Sequence, residues 1–576
     1  MVFNSAPQPP NTYTLFQRFS YPTKHRVHDA IAVSKTTGSR LNSVYTILLG
    51  IILGQLWEFV VIAAVHIANK KPSTPNNKLS LRVDEYHTRL PELMWLLVKR
   101  LVGLDKGAPE ERQRLAEEGQ EVKKNVRRFL FFWIIAVGAA WGGAPALTTV
   151  LIPTLILGNG APVASDSIYF PQVASLSTSP LDDANFVQMQ IPAAFRAAGS
   201  AFVANSATRD KISVTNPPNV LMQLSDGQSV IEIGYSYSVT ARDFGMQHFD
   251  GLSLNVQGSC YTEYGWIYTG GSNYVNYNGM SYWVDNYTLF DNPDHPDWVA
   301  EMDGWAPRAF FYPGPSTNIP TNTGTIVNST YAIMISSVNR TSTDASTDPW
   351  YLTNNFSVTP DATGDVRGYK VKPQRPVLSC WETAIWSYQG HNSSLQNLMA
   401  IPGLNFPETL QKALQVQLGQ PMIVSLGQPL GTQALASSLD VIDFLFNASS
   451  SSVYNDLYRL VLTAYIATAN VLTDSTLHTN TSTLGLPNLF TSDNITGVAE
   501  FVVYSPDVTT FSLVSIILIP LLALTLWVLA KVTRGFVEPE EKPNDNTPIV
   551  RVCSFLASNK RSVLFLCKKV CSLVWY

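Results

Sequence analysis

The chain has 576 residues, and its formal net charge of −4 averages over parts of very different charge. Residues 158–508 carry twelve Lys and Arg against twenty-eight Asp and Glu, whereas residues 67–128 carry fourteen against nine. Such segregation argues against a soluble globular protein, because it is in membrane proteins that cytosolic loops collect Lys and Arg. Basic segments that flank apolar stretches need no nucleic-acid partner to explain them, so none is expected.

The N-terminal tail, residues 1–43, is polar and lacks the apolar core of a secretory signal peptide. The apolar segment 44–65 follows and is long enough to cross a bilayer as the first transmembrane helix. A full span would place the tail outside, whereas a re-entrant segment would leave it in the cytosol. Glu58 is costly in lipid, which indicates either a structural polar contact or a role in handling protons or ions.

Two further apolar segments predict transmembrane helices at 129–157 and 509–531. Basic residues precede the first of these and follow the second, so both flanks are predicted to be cytosolic. The segment 66–128 is then a cytosolic loop with amphipathic helices, and 532–576 is a basic cytosolic tail that contacts membrane lipid. Residues 158–508 form a large extracytoplasmic domain.

Small residues recur within the predicted spans at the spacing of helix-packing motifs. Gly50 and Gly54 form one G-x-x-x-G motif, and Gly138 and Gly142 form another. They pack two spans of one chain together, join two copies in a homo-oligomer, or recur by chance. In the basic tail, Cys567 and Cys571 are either palmitoylation sites or ordinary free thiols.

Sequons for N-glycosylation give independent evidence on topology. All eight lie in the segment that charge places outside, which predicts a glycoprotein of the secretory pathway or the plasma membrane and a eukaryotic source. The acceptor residues are Asn286, Asn328, Asn339, Asn355, Asn392, Asn447, Asn480 and Asn494.

The extracytoplasmic domain is predicted to be α+β, β-rich in its first part and helical in its second. Residues 229–239 alternate apolar and polar side chains with the period of a strand, and Asp226-Gly227 predicts a hairpin to residues 219–224. Residues 252–256, 323–338 and 369–387 also have the character of strands. Helical spacing marks 394–418 and 432–475. Cys260 and Cys380 are either joined by a disulfide or buried as free thiols.

An aromatic and Asn-rich stretch, residues 257–315, is the most unusual part of the domain. Its rings suit stacking on a sugar or a peptide, or else they pack this long segment onto the sheet. The candidate ligand-binding residues are Trp266, Trp283, Trp298 and Trp305. Five acids and one histidine in the same stretch form either a calcium site or, more simply, a solvated loop. They are Asp291, Asp294, His295, Asp297, Glu301 and Asp303.

No serine-hydrolase elbow, zinc-protease helix, phosphate-binding loop or C-x-x-C motif occurs in the sequence. We therefore expect no cofactor and no metal, and catalytic residues stay unassigned. The segments YPTKHRVHDAIAVS (21–34) and LSCWETAIWSYQG (378–390), within this layout of spans and sequons, resemble a group of uncharacterised multi-pass membrane glycoproteins of filamentous fungi. The resemblance covers the chain in outline, and it implies no activity and no functional residue.

Three hypotheses for function follow. The preferred one is a surface or secretory-pathway glycoprotein whose ectodomain binds a glycan, a peptide or a protein partner. The second is a lumenal or surface enzyme that acts on carbohydrate, which needs a pair of carboxyl groups facing an aromatic cleft. The third, motivated by Glu58 and the glycine motifs, is an accessory subunit of a transporter or channel.

Overall fold

The computed structural model describes residues 9–23, 26–69, 155–172, 180–224, 228–268, 274–277, 280–291, 297–300, 307–321, 324–336, 340–358, 366–442, 445–478, 486–490 and 497–537. The chain divides into two compact units, which are described separately. The large unit comprises Met1–Lys35 and Leu157–Thr510, and the helical unit comprises Thr36–Ile156 and Phe511–Tyr576. Strands and helices are largely segregated along the chain, with a long run of strands from Ile212 to Ser393 followed mainly by helices, so the predicted α+β class is confirmed.

The α-helices of the described residues are α1 (Lys35–Asn69), α2 (Pro180–Phe202), α3 (Ser206–Arg209), α4 (Glu408–Leu418), α5 (Met422–Leu430), α6 (Val453–Asp474) and α7 (Leu513–Val537). The strands are β1 (Arg18–Pro22), β2 (Val27–Ser34), β3 (Ile156–Gly158), β4 (Gly160–Pro162), β5 (Ile212–Val214), β6 (Asn219–Gln223), β7 (Ser229–Thr240), β8 (Ser253–Glu263), β9 (Tyr274–Tyr277), β10 (Met280–Tyr287), β11 (Asp297–Ala300), β12 (Arg308–Thr321), β13 (Gly324–Ser336), β14 (Thr341–Ser342), β15 (Thr353–Val358), β16 (Val366–Val371), β17 (Val377–Tyr388), β18 (His391–Ser393), β19 (Val441–Ile442), β20 (Leu445–Phe446), β21 (Val502–Tyr504) and β22 (Val508–Ser512).

Helices α1 and α7 contain stretches that are long and apolar enough to cross a membrane, Lys35–Phe59 and Leu513–Arg534. They coincide with the first and third predicted spans, so the described part of the chain holds two such helices rather than three. The second predicted span, 129–157, lies outside the described residues except at its end. There Ile156 already begins β3, so the predicted boundary at Leu157 is too late. Hydropathy does not separate an apolar helix from an apolar strand that follows it.

Within the helical unit, α1 and α7 pack as a parallel pair. Leu49 and Ile52 of α1 form an apolar cluster with Ala523 of α7. The Tyr45 hydroxyl donates to the carbonyl of Ile516 nearer the start of both helices. Contacts that advance together along both helices require parallel axes. The predicted loop 66–128 and tail 532–576 lie outside the described residues beyond the ends of α1 and α7.

The core of the large unit is an eight-stranded sheet with the order β12-β13-β17-β8-β7-β5, in which β18 adds to β17 and β6 adds to β7. Neighbouring strands are antiparallel. The predicted alternation on β7 is confirmed, because the inward positions of this strand are all buried. These are Ile231, Ile233, Tyr235, Tyr237 and Val239. The predicted hairpin is also present, since β6 pairs with β7.

Helices cover one face of this sheet. The predicted apolar face of α6 is buried throughout, and the ring of Tyr465 lies 6.0 Å from that of Tyr237 on β7. Helix α5 approaches β12 closely at Gly427, where a Cβ would lie 2.3 Å from the ring of Phe311. The order "strands first, helices second" holds only in outline, because α2 precedes the sheet. Its internal Pro192 interrupts the sequence signal of this helix.

The predicted N-terminal tail is not a free tail. Strands β1 and β2 belong to a four-stranded sheet of order β1-β2-β22-β3, and they are grouped with the large unit. Phe19 and Tyr21 are buried there against Val502 and Val508. Strand β2 runs directly into α1, and β22 runs directly into α7. The remaining sheets are β11-β10-β9, β15-β16-β14-β20-β19 and β21-β4.

Candidate functional site

An exposed edge strand among the described residues of the large unit is suited to bind a partner. Strand β6 pairs with β7 on one side, and no strand of the described residues pairs with its other side. Val220, Leu221 and Met222 are 59%, 57% and 55% exposed. All five residues of β6 are exposed and none is charged. We call these five residues the β6 edge.

The local geometry of the β6 edge explains its exposure. Val220 pairs with Ile231 and Met222 pairs with Val230, so the register shifts between them and Leu221 has no partner opposite it. Such a bulge leaves its extra residue outside the ladder. Natural edge strands are commonly protected by charge or by cover, and the β6 edge has no charged residue. An uncovered apolar strand with a free backbone edge fits a segment of another protein that adds as a further strand.

Of the four candidate tryptophans in the aromatic stretch, the structure describes the side chain of Trp266, and this side chain packs in the protein interior. Trp266 is buried in a small core with Tyr287, Leu289 and Met334, and its ring lies 5.2 Å from that of Phe290. Stacking of a ligand on Trp266 would require this core to open, so the packing alternative holds at this residue. Trp283 and Trp298 lie in β10 and β11, and their side chains are outside the described residues, as is the whole of Trp305.

The acidic cluster is described at Asp291 and at the backbone of Asp297 only. Asp291 is exposed, and the structure shows no group of three metal-ligating side chains among the described residues. Asp294, His295, Glu301 and Asp303 lie outside those residues.

The sequons that the structure describes differ in exposure. Asn355 and Asn392 are exposed on β15 and β18. Asn447 accepts hydrogen bonds from the backbone of Ser449 and from its hydroxyl, at 3.0 and 2.8 Å. Asn286 and Asn328 are half-buried within β10 and β13. Asn339, Asn480 and Asn494 lie outside the described residues.

Of the two alternatives for Cys260 and Cys380, the structure shows the disulfide. The two residues face each other on the paired strands β8 and β17. Both are buried, and the Sγ atom of Cys260 lies 3.6 Å from the hydroxyl of Tyr331.

A buried carboxyl group that the sequence analysis did not single out lies beside this disulfide. Tyr235, Gly258 and Glu382 stand in one row across β7, β8 and β17. A Cβ on Gly258 would lie 2.3 Å from the Tyr235 ring, so glycine lets that ring cross β8. The Tyr235 hydroxyl donates to Oε2 of Glu382 at 2.8 Å and lies 2.8 Å from the hydroxyl of Tyr331.

The environment of Glu382 raises the pKa of its carboxyl group. Burial raises the pKa of Glu382 to about 7, although the hydrogen bond from Tyr235 opposes this. Burial also raises the pKa of Tyr235 well above its usual value, and the nearby carboxylate adds to the effect. The sequence of β17 could have identified this residue. Side chains of a strand alternate between its faces, and Glu382 shares one face with four non-acidic residues, Leu378, Cys380, Ala384 and Trp386.

Two further buried carboxyl groups lie at the start of α6. Asp348 accepts hydrogen bonds from the backbone N–H groups of Trp350 and Val453 at 2.9 and 3.0 Å. Asp456 accepts from the Tyr351 hydroxyl and, at 2.8 Å, from the backbone of Ser437. Burial raises the pKa of Asp348 to about 7 and that of Asp456 to about 6. These donors mark the pair as part of the helix start.

In the helical unit, Oε1 of Glu58 lies 3.9 Å from Nη1 of Arg534, so this acid has a basic neighbour on the adjacent helix. This contact agrees with the structural alternative for Glu58. A Cβ on Gly50 or Gly54 would meet no atom within 4 Å in the described structure, so this motif does not pack against α7. Gly138, Gly142, Cys567 and Cys571 lie outside the described residues.

Comparison with known proteins identifies a family by its profile but no individual related protein. No curated protein and no solved structure matches the chain. A family profile matches residues 191–503, just over half of the chain, from within α2 to the middle of β21. The match includes the β6 edge and Glu382 and leaves out β1, β2, α1 and α7. The chain thus belongs to the family described as a domain of unknown function, DUF8406.

Proposed function

We propose that this protein is a multi-pass membrane glycoprotein of the cell surface or secretory pathway, and that its large unit binds an extended segment of a protein partner along the β6 edge. The observation that carries the proposal is the uncharged edge strand with three exposed apolar side chains in succession. Backbone groups of such an edge supply affinity for an added strand, and side-chain contacts supply specificity.

The placement of the large unit on the non-cytosolic side rests on two supports. All eight sequons belong to it, and its net charge contrasts with the basic segments 67–128 and 532–576. Strands β1 and β2 are grouped with it although they precede α1. A tail that shares a sheet with β22 lies on the same side of the membrane as β22, which favours a full span for α1 over a re-entrant segment.

The topology is tested by glycan mass in the full-length protein. Substitution of Asn355 or Asn392 by Gln should each remove one glycan step on a gel, because both residues are exposed. A sequon engineered into the 67–128 segment should gain none. A glycan on that engineered sequon would refute the proposed orientation.

The recognition surface is tested with a photo-crosslinking amino acid placed at Leu221 in the full-length protein in native membranes. The matched control carries it at Leu439, which is 52% exposed but belongs to the short helical turn Ala436–Leu439 and not to a strand. We expect a discrete cross-linked protein from position 221 that disappears in the V220K/M222K variant. Equal cross-linking from both positions, or products that survive V220K/M222K, would contradict the proposal.

A further inference from the structure

A cavity of about 60 Å³ lies between the central sheet and the connection of α4 to α5. Its inner lining includes Glu382, Tyr237 and Thr468, which are all buried. Gln396 and Gly419 line it as well, and both are exposed. The cavity therefore connects the surface with the buried carboxyl group. A volume of this size holds a few water molecules or one small ion, but no sugar ring.

The inner end of the cavity presents oxygen acceptors. Oε2 of Glu382 accepts from Tyr235, whereas Oε1 has no hydrogen-bond partner within the described part of the chain. The Thr468 hydroxyl donates to the carbonyl of Ala464 at 2.7 Å. It therefore accepts from the Tyr237 hydroxyl, 3.5 Å away, which leaves the lone pairs of the Tyr237 oxygen available. Oε1 and the Tyr237 oxygen are thus two acceptors without donors.

No basic side chain among the described residues compensates Glu382. The groups that face it are Tyr235 and Tyr237 from β7, Tyr331 from β13, Thr468 from α6 and the neighbouring disulfide. Among the described residues that line the cavity there is no Lys, Arg or His. A buried carboxylate without a counter-charge costs several kcal/mol, and a proton or a cation taken up beside it reduces this cost.

We propose that this cavity binds one small monovalent cation of the size of sodium or ammonium, with Glu382 supplying the charge and Tyr237 a neutral oxygen. One carboxylate balances a single positive charge. A calcium ion, by contrast, takes six to eight oxygens, usually from several carboxylates. A proton on Glu382 competes with the cation, so binding weakens as the pH falls.

The test uses the full-length protein in detergent, with the unfolding temperature followed by tryptophan fluorescence. At pH 8, sodium or ammonium chloride should raise the unfolding temperature by about 2–4 °C over an equal concentration of choline chloride, and the rise should saturate. At pH 4.5 the difference should vanish, because Glu382 then carries a proton. The E382Q variant should show no cation dependence at either pH.

Two variants separate binding from general stability. Asp348→Asn neutralises a buried carboxyl group that does not line the cavity, so it should keep the full response to sodium. Tyr237→Phe removes one oxygen and should move the midpoint of the sodium titration about tenfold higher, which keeps the test decisive if E382Q does not fold. Equal unfolding temperatures in sodium, ammonium and choline at pH 8 would overturn the proposal. So would a sodium response that persists in E382Q, or an unchanged midpoint in Tyr237→Phe.

Discussion

Among the described residues, the large unit buries carboxyl groups in several places, and two of these regions use them differently. At the start of α6, Asp348 and Asp456 accept hydrogen bonds from backbone N–H groups and, for Asp456, a tyrosine hydroxyl. In the central sheet, Glu382 accepts one hydrogen bond and borders a cavity. Burial raises the pKa of all three groups, yet the hydrogen bonding assigns the first region to stability and leaves the second with an unused acceptor.

This difference shows why a perturbed pKa alone is a weak guide to a functional site. Structural carboxyl groups and binding carboxyl groups share the same cause of perturbation, which is loss of water. The donors that face each oxygen separate the two cases. The predictions below test that separation, from the largest expected effect to the smallest.

Asp456→Ala should reduce the free energy of unfolding by about 3 kcal/mol, because it leaves the Ser437 N–H buried without its acceptor and removes one of the two hydrogen-bond partners of the buried Tyr351 hydroxyl. Chemical denaturation of the full-length protein in detergent measures this loss. Glu408→Ala, on the exposed first turn of α4, is the control and should leave stability almost unchanged. Equal effects of the two substitutions would contradict the structural role of Asp456.

The stability of the wild-type protein in choline buffer should fall as the pH rises from about 4 to about 8. The pKa of Glu382 is raised from 4.5 to about 7, so the folded state keeps a proton that the unfolded chain releases in this window. Glu382 accounts for about 3 kcal/mol of this fall in the free energy of unfolding. The substitution E382Q should remove this share and so raise stability at pH 8 while changing little at pH 4.5. A pH profile that is unchanged in E382Q would show that Glu382 does not titrate as described.

Gly258→Ala should cost about 2 kcal/mol, because the new methyl group meets the Tyr235 ring and the carbonyl of Trp381. It should also steepen the pH dependence of stability, since displacement of Tyr235 removes the one hydrogen bond of Glu382. Gly199→Ala in α2 is the matched control, because a Cβ there meets no atom within 4 Å. Thermal unfolding at pH 4.5 and pH 8 distinguishes the two variants, and equal behaviour would argue against the Tyr235–Glu382 contact.

The V220K/M222K variant should have the smallest effect on stability, within about 0.5 kcal/mol, because both side chains are exposed. It nevertheless should abolish cross-linking from position 221. A large loss of stability would mean that the β6 edge is packed in the folded protein, and the binding surface would then have to lie elsewhere.

The sequence predicts those elements whose signal is local. The alternation on β7, the hairpin to β6 and the apolar face of α6 follow from side-chain periodicity, and α1 and α7 follow from hydropathy. Strand β1 pairs with β2, and the sheet that they form depends on β22, which lies far along the chain, so the sequence did not predict these two strands. Helix α2 escapes because of Pro192.

The two candidate sites, the Glu382 cavity and the β6 edge, also differ in how much of each the sequence reveals. Glu382 is visible in principle as an acid on an apolar strand face, but its cavity depends on how α4, α5 and α6 pack on the sheet. The β6 edge reads as an ordinary apolar strand, and nothing in its five residues states that it is outermost. Exposure is a property of tertiary arrangement, so the sequence could not supply it.

The position of the N-terminal strands in the chain also means that β2 waits for its neighbour β22 during biosynthesis. Strand β2 is made early, but its neighbour β22 begins at Val508, so 473 residues lie between the end of β2 at Ser34 and the start of β22. At about 5–20 residues per second, β2 waits roughly 25–95 s with an open edge after it emerges. A nascent chain stopped before β22 keeps that edge unpaired, which gives chaperones a means to distinguish unfinished molecules from complete ones.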